Sequence, residues 1–234
     1  MNNRFFSKLA ASNIKKNGKA YIPYILSCVM TVALFYIVKS LSYNPGLKNM
    51  VGSSTMMTMM SMCSVIIALF AIVFLFYTNS FLMKRRKKEF GVFNILGMEK
   101  SHIAKTMAWE NFYVTLISIV GGLVIGLALD KAMFLLIAQV LNEEISLGFF
   151  ISDKAIISTV VMFCIIFLLI LLNSIRQIQT ANPIELLTAG NAGEREPKTK
   201  WVLTILGLLS LGAGYYIALR IENPLTALGY FFFA

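Results

Sequence analysis

The chain has 234 residues, of which 58% are hydrophobic and 14% are charged, and its mean hydropathy is +0.74. Soluble domains have roughly 45–50% apolar and about 25% charged residues, so this composition excludes a soluble globular protein and predicts an all-α polytopic membrane protein. The net charge of +10 would suit nucleic-acid binding, but it also suits basic loops on one side of a bilayer.

The N-terminal part, residues 1–20, is basic, contains no acid and has apolar residues at helical spacing. This pattern predicts an amphipathic helix on the cytoplasmic face of the membrane, with a solvated basic N-terminus as an equal alternative. The first span is predicted at about residues 21–38. A short connection with the turn signal Asn44-Pro45-Gly46 leads to the second span, within residues 56–83, which must tilt or project.

A run of five cations ends the second span, and we call it the basic cluster. It consists of Lys84, Arg85, Arg86, Lys87 and Lys88.

The third span is predicted at about residues 109–129. Asp130 and Lys131 then stand at a span end, where charged side chains can snorkel to water. The apolar residues up to Leu141 are predicted to extend this span or to form an interfacial helix.

The fourth span is predicted at about residues 155–172 and a fifth at about residues 201–219, after a polar segment with turn signals. A further apolar run begins at Pro224 and has eleven residues up to Ala234. Eleven helical residues are too few to cross a bilayer, so we expect the chain to be truncated within its sixth span.

The loop charges predict the topology. With a cytoplasmic N-terminus, the inner segments hold 16 of the 21 Lys and Arg residues and the outer segments hold 5. This ratio follows the positive-inside rule. It also argues against nucleic-acid binding, because the basic residues are divided among loops instead of forming one face.

No enzyme signature is present in this sequence. It lacks the P-loop pattern of an ATPase and a zinc-protease H-E-x-x-H pattern, and His102 is its one histidine. The three cysteines lie in apolar stretches without metal-ligand spacing, so neither a disulfide framework nor a bound metal is indicated.

A small-residue step in the third span predicts helix packing or, alternatively, a dimer seam. Its members are Gly121, Gly122 and Gly126.

Residues 89–105 alternate apolar and polar side chains directly after the basic cluster. A cytoplasmic amphipathic helix can place its apolar face on the membrane surface or in a groove of a partner protein. The residues alone slightly favour the membrane surface, where the lysines would contact lipid headgroups.

This segment resembles the cytoplasmic signature of FtsX-like ABC transporter permeases. The signature has a basic exit from the second span, a Glu-apolar-Gly step, a Leu-Gly step, and an Ile and a Glu leading into the third span. The matching residues are Arg85, Arg86, Glu89, Gly91, Leu96, Gly97, Ile103 and Glu110. After the fourth span, the chain is similar to the family's Arg…Pro-apolar-Glu-x-Leu ending, with Arg176, Pro183, Glu185 and Leu187.

The resemblance covers about residues 5–190. It implies an FtsX-like four-helix unit over residues 21–190, and residues 191–234 then hold a linker, the fifth span and the start of a sixth. The short connection between spans one and two is similar to the bacitracin-export (BceB-type) branch. Members of that branch have ten spans and an extracellular domain between spans seven and eight.

The resemblance also implies a mechanism in which this chain is not itself an enzyme. Two separate ATPase subunits would bind ATP and Mg²⁺, while this chain binds no cofactor and spans the cell membrane. Arg176, Pro183, Glu185 and Leu187 would form a second ATPase contact, and a coupling helix would form the first. The implied coupling-helix residues are Glu89, Phe90, Gly91, Val92, Phe93, Leu96, Gly97, Met98 and Ile103.

Within this branch the expected role is resistance to cell-wall-active peptide antibiotics, with signalling to a membrane histidine kinase. Two alternatives stay open on the sequence. One is another FtsX-like role, such as lipid or lipoprotein export or regulation of a cell-wall hydrolase. The other is a membrane sensor or channel that needs no ATPase.

Overall fold

The computed structural model describes residues 3–45, 53–140, 151–180 and 201–220. Within these ranges the regular structure is helical, which confirms the predicted all-α membrane class. The helices are α1 (Asn3–Lys16), α2 (Gly18–Tyr43), α3 (Ser53–Ile95), α4 (Lys100–Val140), α5 (Asp153–Thr180) and α6 (Trp201–Arg220). Four apolar segments are long enough to cross a bilayer: Gly18–Tyr43, Ser53–Lys87, Lys100–Leu136 and Asp153–Thr180.

Helices α3 and α4 are much longer than the spans predicted within them. They have 43 and 41 residues, which at 1.5 Å per residue is about 60–65 Å, or twice the thickness of a ~30 Å hydrocarbon core. Helix α3 continues through the basic cluster, and α4 continues through Asp130 and Lys131. The charges therefore do not end these helices, and residues 131–140 do not form a separate interfacial helix, because Lys, Arg and Glu are good helix formers.

The spans form a bundle around α2. Helices α2 and α4 run parallel, since Tyr21 lies beside Glu110 and Ser40 lies beside Asp130. Helix α3 runs in the opposite direction, since its Arg86 also contacts Tyr21. We call the end where α2 and α4 begin and α3 ends the basic end. The core combines buried residues from four helices, including Val32, Leu75, Val114, Phe163 and Phe167.

Helix α1 packs on the first turns of α4. Phe6 and Ala10 are fully buried, and the Phe6 ring stacks on His102 with 5.6 Å between the centroids. The Ser7 and Tyr113 hydroxyls are 2.7 Å apart. The buried apolar side chains of this helix therefore pack against protein, while Phe5 and the lysines stay exposed. Its placement on the cytoplasmic face of the membrane stays a prediction.

The small-residue step of the third span lies against α2. A Cβ added to Gly122 would come within 2.5 Å of the Val32 Cβ, and one added to Gly126 would come within 2.8 Å of the Tyr36 ring. Gly121 faces Val29 at ordinary contact distance. These glycines therefore let two helices of the same chain approach closely. The small-residue surface is thus covered by α2 of the same chain.

Helix α6 lies where the fifth span is predicted. The predicted sixth span lies outside the described residues. The same holds for the linker before α6 and for three residues of the second motif, Pro183, Glu185 and Leu187.

Candidate functional site

The turn between α3 and α4, at the basic end, has a defined backbone geometry. Helix α3 ends at Ile95, and Gly97 has a positive φ of 88°. The Met98 N–H donates to the Phe93 carbonyl at 3.0 Å, and the Gly97 N–H donates to the Asn94 carbonyl at 3.1 Å. This pair of bonds is a Schellman motif, which satisfies the last carbonyls of a helix and favours Gly at the left-handed position.

This turn corrects the prediction of one amphipathic helix over residues 89–105. The segment consists of the last turns of α3, a four-residue connection and the first turns of α4. The physical reason is the left-handed conformation at Gly97, which no α-helix can continue through. The Leu-Gly-apolar motif therefore encodes the end of a helix.

The apolar side chains around this turn form two sets, and the apolar members of the implied coupling residues are divided between them. One set is packed inward, and we call it the inner cluster: Met83, Phe90, Ile103, Met107 and Ile178, with Phe93 and Met98 partly buried against it. The other set is exposed at the turn, and we call it the apolar tip: Val92, Ile95 and Leu96. Ile95 and Leu96 are 65% and 75% exposed. The turn thus presents apolar side chains outward, while the inner cluster joins α3, α4 and α5 beneath it.

A buried ion pair lies next to the inner cluster. Arg86 of α3 and Glu110 of α4 are each only 3% exposed. The guanidinium donates to both carboxylate oxygens, with 2.9 Å between Nη2 and Oε1, so the pair is bidentate. The Arg86 guanidinium carbon also lies 4.7 Å above the Phe90 ring. A bidentate Arg–carboxylate pair fixes the two groups in one geometry and therefore holds the two helices in register.

Side chains from α1 and α2 complete this network. Asn13 Nδ2 donates to Glu110 Oε1 and the Tyr21 hydroxyl donates to Glu110 Oε2, both at 3.0 Å. Asn17 Nδ2 donates to Glu89 Oε2 at 3.0 Å, and Arg86 Nε reaches the same oxygen at 3.5 Å. The network therefore ties four helices together at the basic end. Satisfied buried networks of this kind rigidify the elements that carry them.

The basic cluster is not a uniform membrane-surface patch. Arg86 points into the ion pair, so its assignment to the surface is wrong; its charge is matched by a buried carboxylate of the next span. Arg85 is exposed and lies 4.6 Å above the Phe81 ring. Lys84 is exposed and Lys87 is half-buried. The side chain of Lys88 lies outside the described part of the chain.

Arg176, the described member of the second motif, is exposed on the last turns of α5. Nearby, Lys100 Nζ donates to the Gln179 carbonyl at 2.9 Å, so the first turn of α4 is tied to the end of α5. The end of α5 therefore lies beside the turn that carries the apolar tip.

The sequence reasoning missed several members of these networks. Asn13, Asn17 and Tyr21 were not singled out, and their signal would have been polar side chains at helical spacing next to the first span. Asp130 was interpreted as snorkelling, but it is buried and accepts a hydrogen bond from Ser40 at 3.0 Å. Its signal was a lone carboxylate interrupting an otherwise apolar helix, which has to find a partner in the membrane.

The arrangement at the basic end suits a mechanical task. The apolar tip stands on a turn whose carbonyls are satisfied, and this turn is anchored by the inner cluster and the buried ion pair. The turn that carries the apolar tip is therefore joined directly to α3 and α4. Within the described residues, no group of three or more His, Cys, Asp and Glu side chains is placed to hold a metal ion.

Substitution of Gly97 tests the turn. Gly97→Ala is expected to lower the free energy of unfolding by about 1 kcal/mol, because a side chain at positive φ is strained. No atom lies within 4 Å of the added Cβ, so the cost is conformational and not steric. Gly97→Asn should cost less, since Asn tolerates this conformation, and Gly97→Val should cost more. Unfolding titrations in SDS, followed by circular dichroism, measure this order; equal costs would contradict it.

Comparison with known proteins supports the family suggested by the sequence. Residues 61–183, more than half of the chain, match the family described as FtsX-like permease C-terminal. The uncharacterized ABC transporter permease YvcS of Bacillus subtilis (strain 168) is 34% identical over 90% of this chain and 33% of its own length.

Two bacitracin export permease proteins, both named BceB, are also similar to this chain. The protein of Bacillus subtilis (strain 168) is 25% identical over 91% of this chain and 33% of its own length. The protein of Halalkalibacterium halodurans is 28% identical over 91% of this chain and 34% of its own length. The chain thus spans about a third of the length of the curated relatives that it matches. The predicted resemblance is confirmed, and the chain belongs to the family of FtsX-like permeases.

Proposed function

We propose that this chain is the transmembrane part of an ABC transporter permease subunit and that its apolar tip docks into a groove of a separate ATPase subunit. The observation that carries the proposal is the apolar tip itself. Ile95 and Leu96 are large apolar side chains, they are mostly exposed, and they stand on a turn that two buried networks hold in place. Exposed apolar groups on a rigid support are typical of a protein-docking surface.

The continuity of α3 favours a partner protein over the membrane surface. The sequence alone slightly favoured the surface, because it suggested a separate helix after the basic cluster. Helix α3 instead runs on from the span, and residues 84–95 carry it about 18 Å further at 1.5 Å per residue. A helix that continues along its transmembrane direction carries its end away from the lipid, where a soluble domain can reach it.

The proposal places the basic end in the cytoplasm, where an ATPase has access to ATP. The excess of Lys and Arg in the segments predicted to be inner, 16 against 5, supports this orientation. ATP and Mg²⁺ would be bound by the ATPase, with two copies per transporter. The exposed end of α5, with Arg176, lies beside the turn and would be the second contact.

The substrate class is proposed from the relatives. Two of them are named bacitracin export permeases, so we propose a role in the export of cell-wall-active peptide antibiotics or in resistance to them. The resemblance further suggests a membrane histidine kinase as a signalling partner. Both proposals concern the whole protein. The described helices form the part that would contact the ATPase and move with it.

Substitution of Leu96 tests the docking. In the full-length permease expressed with the ATPase encoded beside it, Leu96→Asp is expected to reduce co-purification of the ATPase at least tenfold, because a carboxylate cannot enter an apolar groove without a large desolvation cost. Leu96 is a sharper test than Phe93, which is partly buried against the inner cluster, so that Phe93→Asp would also disturb the turn.

Ser101→Asp is the matched control, since it adds the same charge five residues away at an exposed position near the start of α4. It should leave co-purification unchanged. Its thermal stability is measured separately, because the Ser101 hydroxyl lies 3.1 Å from Glu99 Oε2 and an aspartate there would face that carboxylate. If Leu96→Asp and Ser101→Asp retain the ATPase equally, the apolar tip is not the docking surface. If the wild-type permease binds no ATPase, the transporter proposal fails and the membrane sensor takes its place.

A further inference from the structure

A groove on the lipid-facing side of the bundle is not used by the ion pair or by the apolar tip. It lies between the first turns of α2 and the last turns of α3 and has a volume of about 480 Å³. Its walls are two stripes, each with four-residue spacing along one helix, so that each presents a continuous face. The stripe of α2 is Lys19, Pro23 and Ser27, and the stripe of α3 is Tyr77, Phe81 and Arg85.

The interior of the groove is effectively apolar. Four lining side chains carry hydroxyl groups, those of Tyr24, Ser27, Tyr77 and Thr78. The Ser27 and Thr78 hydroxyls are satisfied within their own helices, since Ser27 Oγ donates to the Pro23 carbonyl and Thr78 Oγ1 donates to the Phe74 carbonyl, both at 2.9 Å. The remaining wall is formed mainly by proline, aromatic and leucine side chains. A polar ligand would therefore gain no hydrogen bonds from these hydroxyls, whereas a hydrocarbon chain would fit.

The mouth of the groove is cationic. Lys19 and Arg85 stand at the same end of the two stripes because α2 and α3 are antiparallel, and both side chains are exposed. The Arg85 guanidinium lies over the Phe81 ring, with 4.6 Å from its carbon to the ring centroid, which keeps it above the groove. None of the described residues that line the groove is acidic.

We propose that this groove binds an anionic phospholipid, with the phosphate between Lys19 and Arg85 and an acyl chain along the two stripes. The distance from Lys19 to Ser27 along α2 is about 12 Å, which is close to the ~15 Å depth of one leaflet. Basic pockets between transmembrane helices are suited to acidic lipid headgroups. The site needs α2 and α3 to span the membrane, but it does not depend on docking of an ATPase.

Native mass spectrometry of the full-length permease in detergent tests the site. The probes are phosphatidylglycerol and phosphatidylcholine with identical acyl chains, so only the headgroup charge differs. The wild type is expected to bind phosphatidylglycerol about 30-fold more tightly at one site, which corresponds to two cations near the phosphate. The double variant Lys19→Gln/Arg85→Gln should lose this preference, and Lys19→Arg/Arg85→Lys should keep it.

Lys15→Gln/Lys16→Gln is the matched control, since it removes two exposed cations from the last turn of α1, outside the groove. It should keep the preference for phosphatidylglycerol. Ser27→Phe, which fills the groove and leaves both cations in place, should weaken binding of both lipids. An equal loss in the control variant, or an equal affinity of the wild type for both lipids, would overturn the proposal. So would the absence of any retained lipid, which would indicate that another helix of the protein fills the groove.

Discussion

Replacement of Glu110 by glutamine is expected to lower the free energy of unfolding by about 3–5 kcal/mol, the largest effect of any single substitution at the basic end. Glutamine has nearly the same shape, but its one acceptor oxygen can replace only one of the two carboxylate oxygens that accept from Asn13 and Tyr21. The cost arises because the Arg86 guanidinium stays buried and loses its counter-charge. Unfolding titrations in SDS measure it.

Two further variants distinguish the loss of the ion pair from an unspecific loss of stability on substitution. Glu99→Gln makes the same chemical change at an exposed carboxylate and should change stability by no more than about 0.5 kcal/mol. The double variant Arg86→Met/Glu110→Gln should recover most of the loss, because a buried pair replaced on both sides leaves no uncompensated charge. A loss at Glu110→Gln as small as at Glu99→Gln would show that the pair does not hold the helices.

Substitution of Gly122 is expected to give the second largest effect, a destabilisation of about 1–3 kcal/mol for Gly122→Ala. The added Cβ would lie 2.5 Å from the Val32 Cβ and 2.9 Å from the Val29 carbonyl oxygen, so α2 and α4 would have to move apart. The same change at Gly207 of α6 meets no atom of the described residues within 4 Å. There, alanine should be neutral or stabilising, since it favours a helix over glycine.

A double-mutant cycle gives the sharper readout for this contact. Val32→Gly removes the two Val32 side-chain atoms nearest to the new Cβ and leaves the Val29 carbonyl oxygen in place, so Gly122→Ala should cost less in that background than in the wild type. The difference between the two costs measures the close approach directly, apart from the helix propensities. Additive costs in the cycle would contradict the packing of α4 on α2 at this position.

The hydrophobic pattern was sufficient to predict the membrane class, because apolar runs of this length have no other stable environment. It could not predict where the helices end. The charges at residues 84–88 and at Asp130 mark the border of the lipid, and a helix does not need to stop there. The end of α3 is instead encoded by Gly97. Its φ of 88° is known only from the structure and could not be read from the sequence.

The buried ion pair could not be predicted from the sequence for a different reason. Arg86 and Glu110 were both identified as motif residues, but their pairing depends on the register of two helices. A signal was available, since the two residues stand twelve positions on either side of Met98 in the turn. The sequence held no such signal for which coupling residues face inward. Phe90 is buried and Leu96 is exposed because α3 ends at Ile95, and the alternating apolar pattern continues through this point without marking it.

The length of α3 has a mechanical consequence. This helix contains no proline, so if it tilts as one rigid rod about the buried pair at Arg86, that pair is the fulcrum of a lever. The arm from Arg86 to Leu96 is ten residues, about 15 Å, and the arm from Arg86 back to Ser53 is about 50 Å at 1.5 Å per residue. A sideways push of 1 Å at the short arm would swing the far end of α3 by roughly 3 Å in the opposite direction. Small movements at one face of the membrane would thereby be magnified at the other.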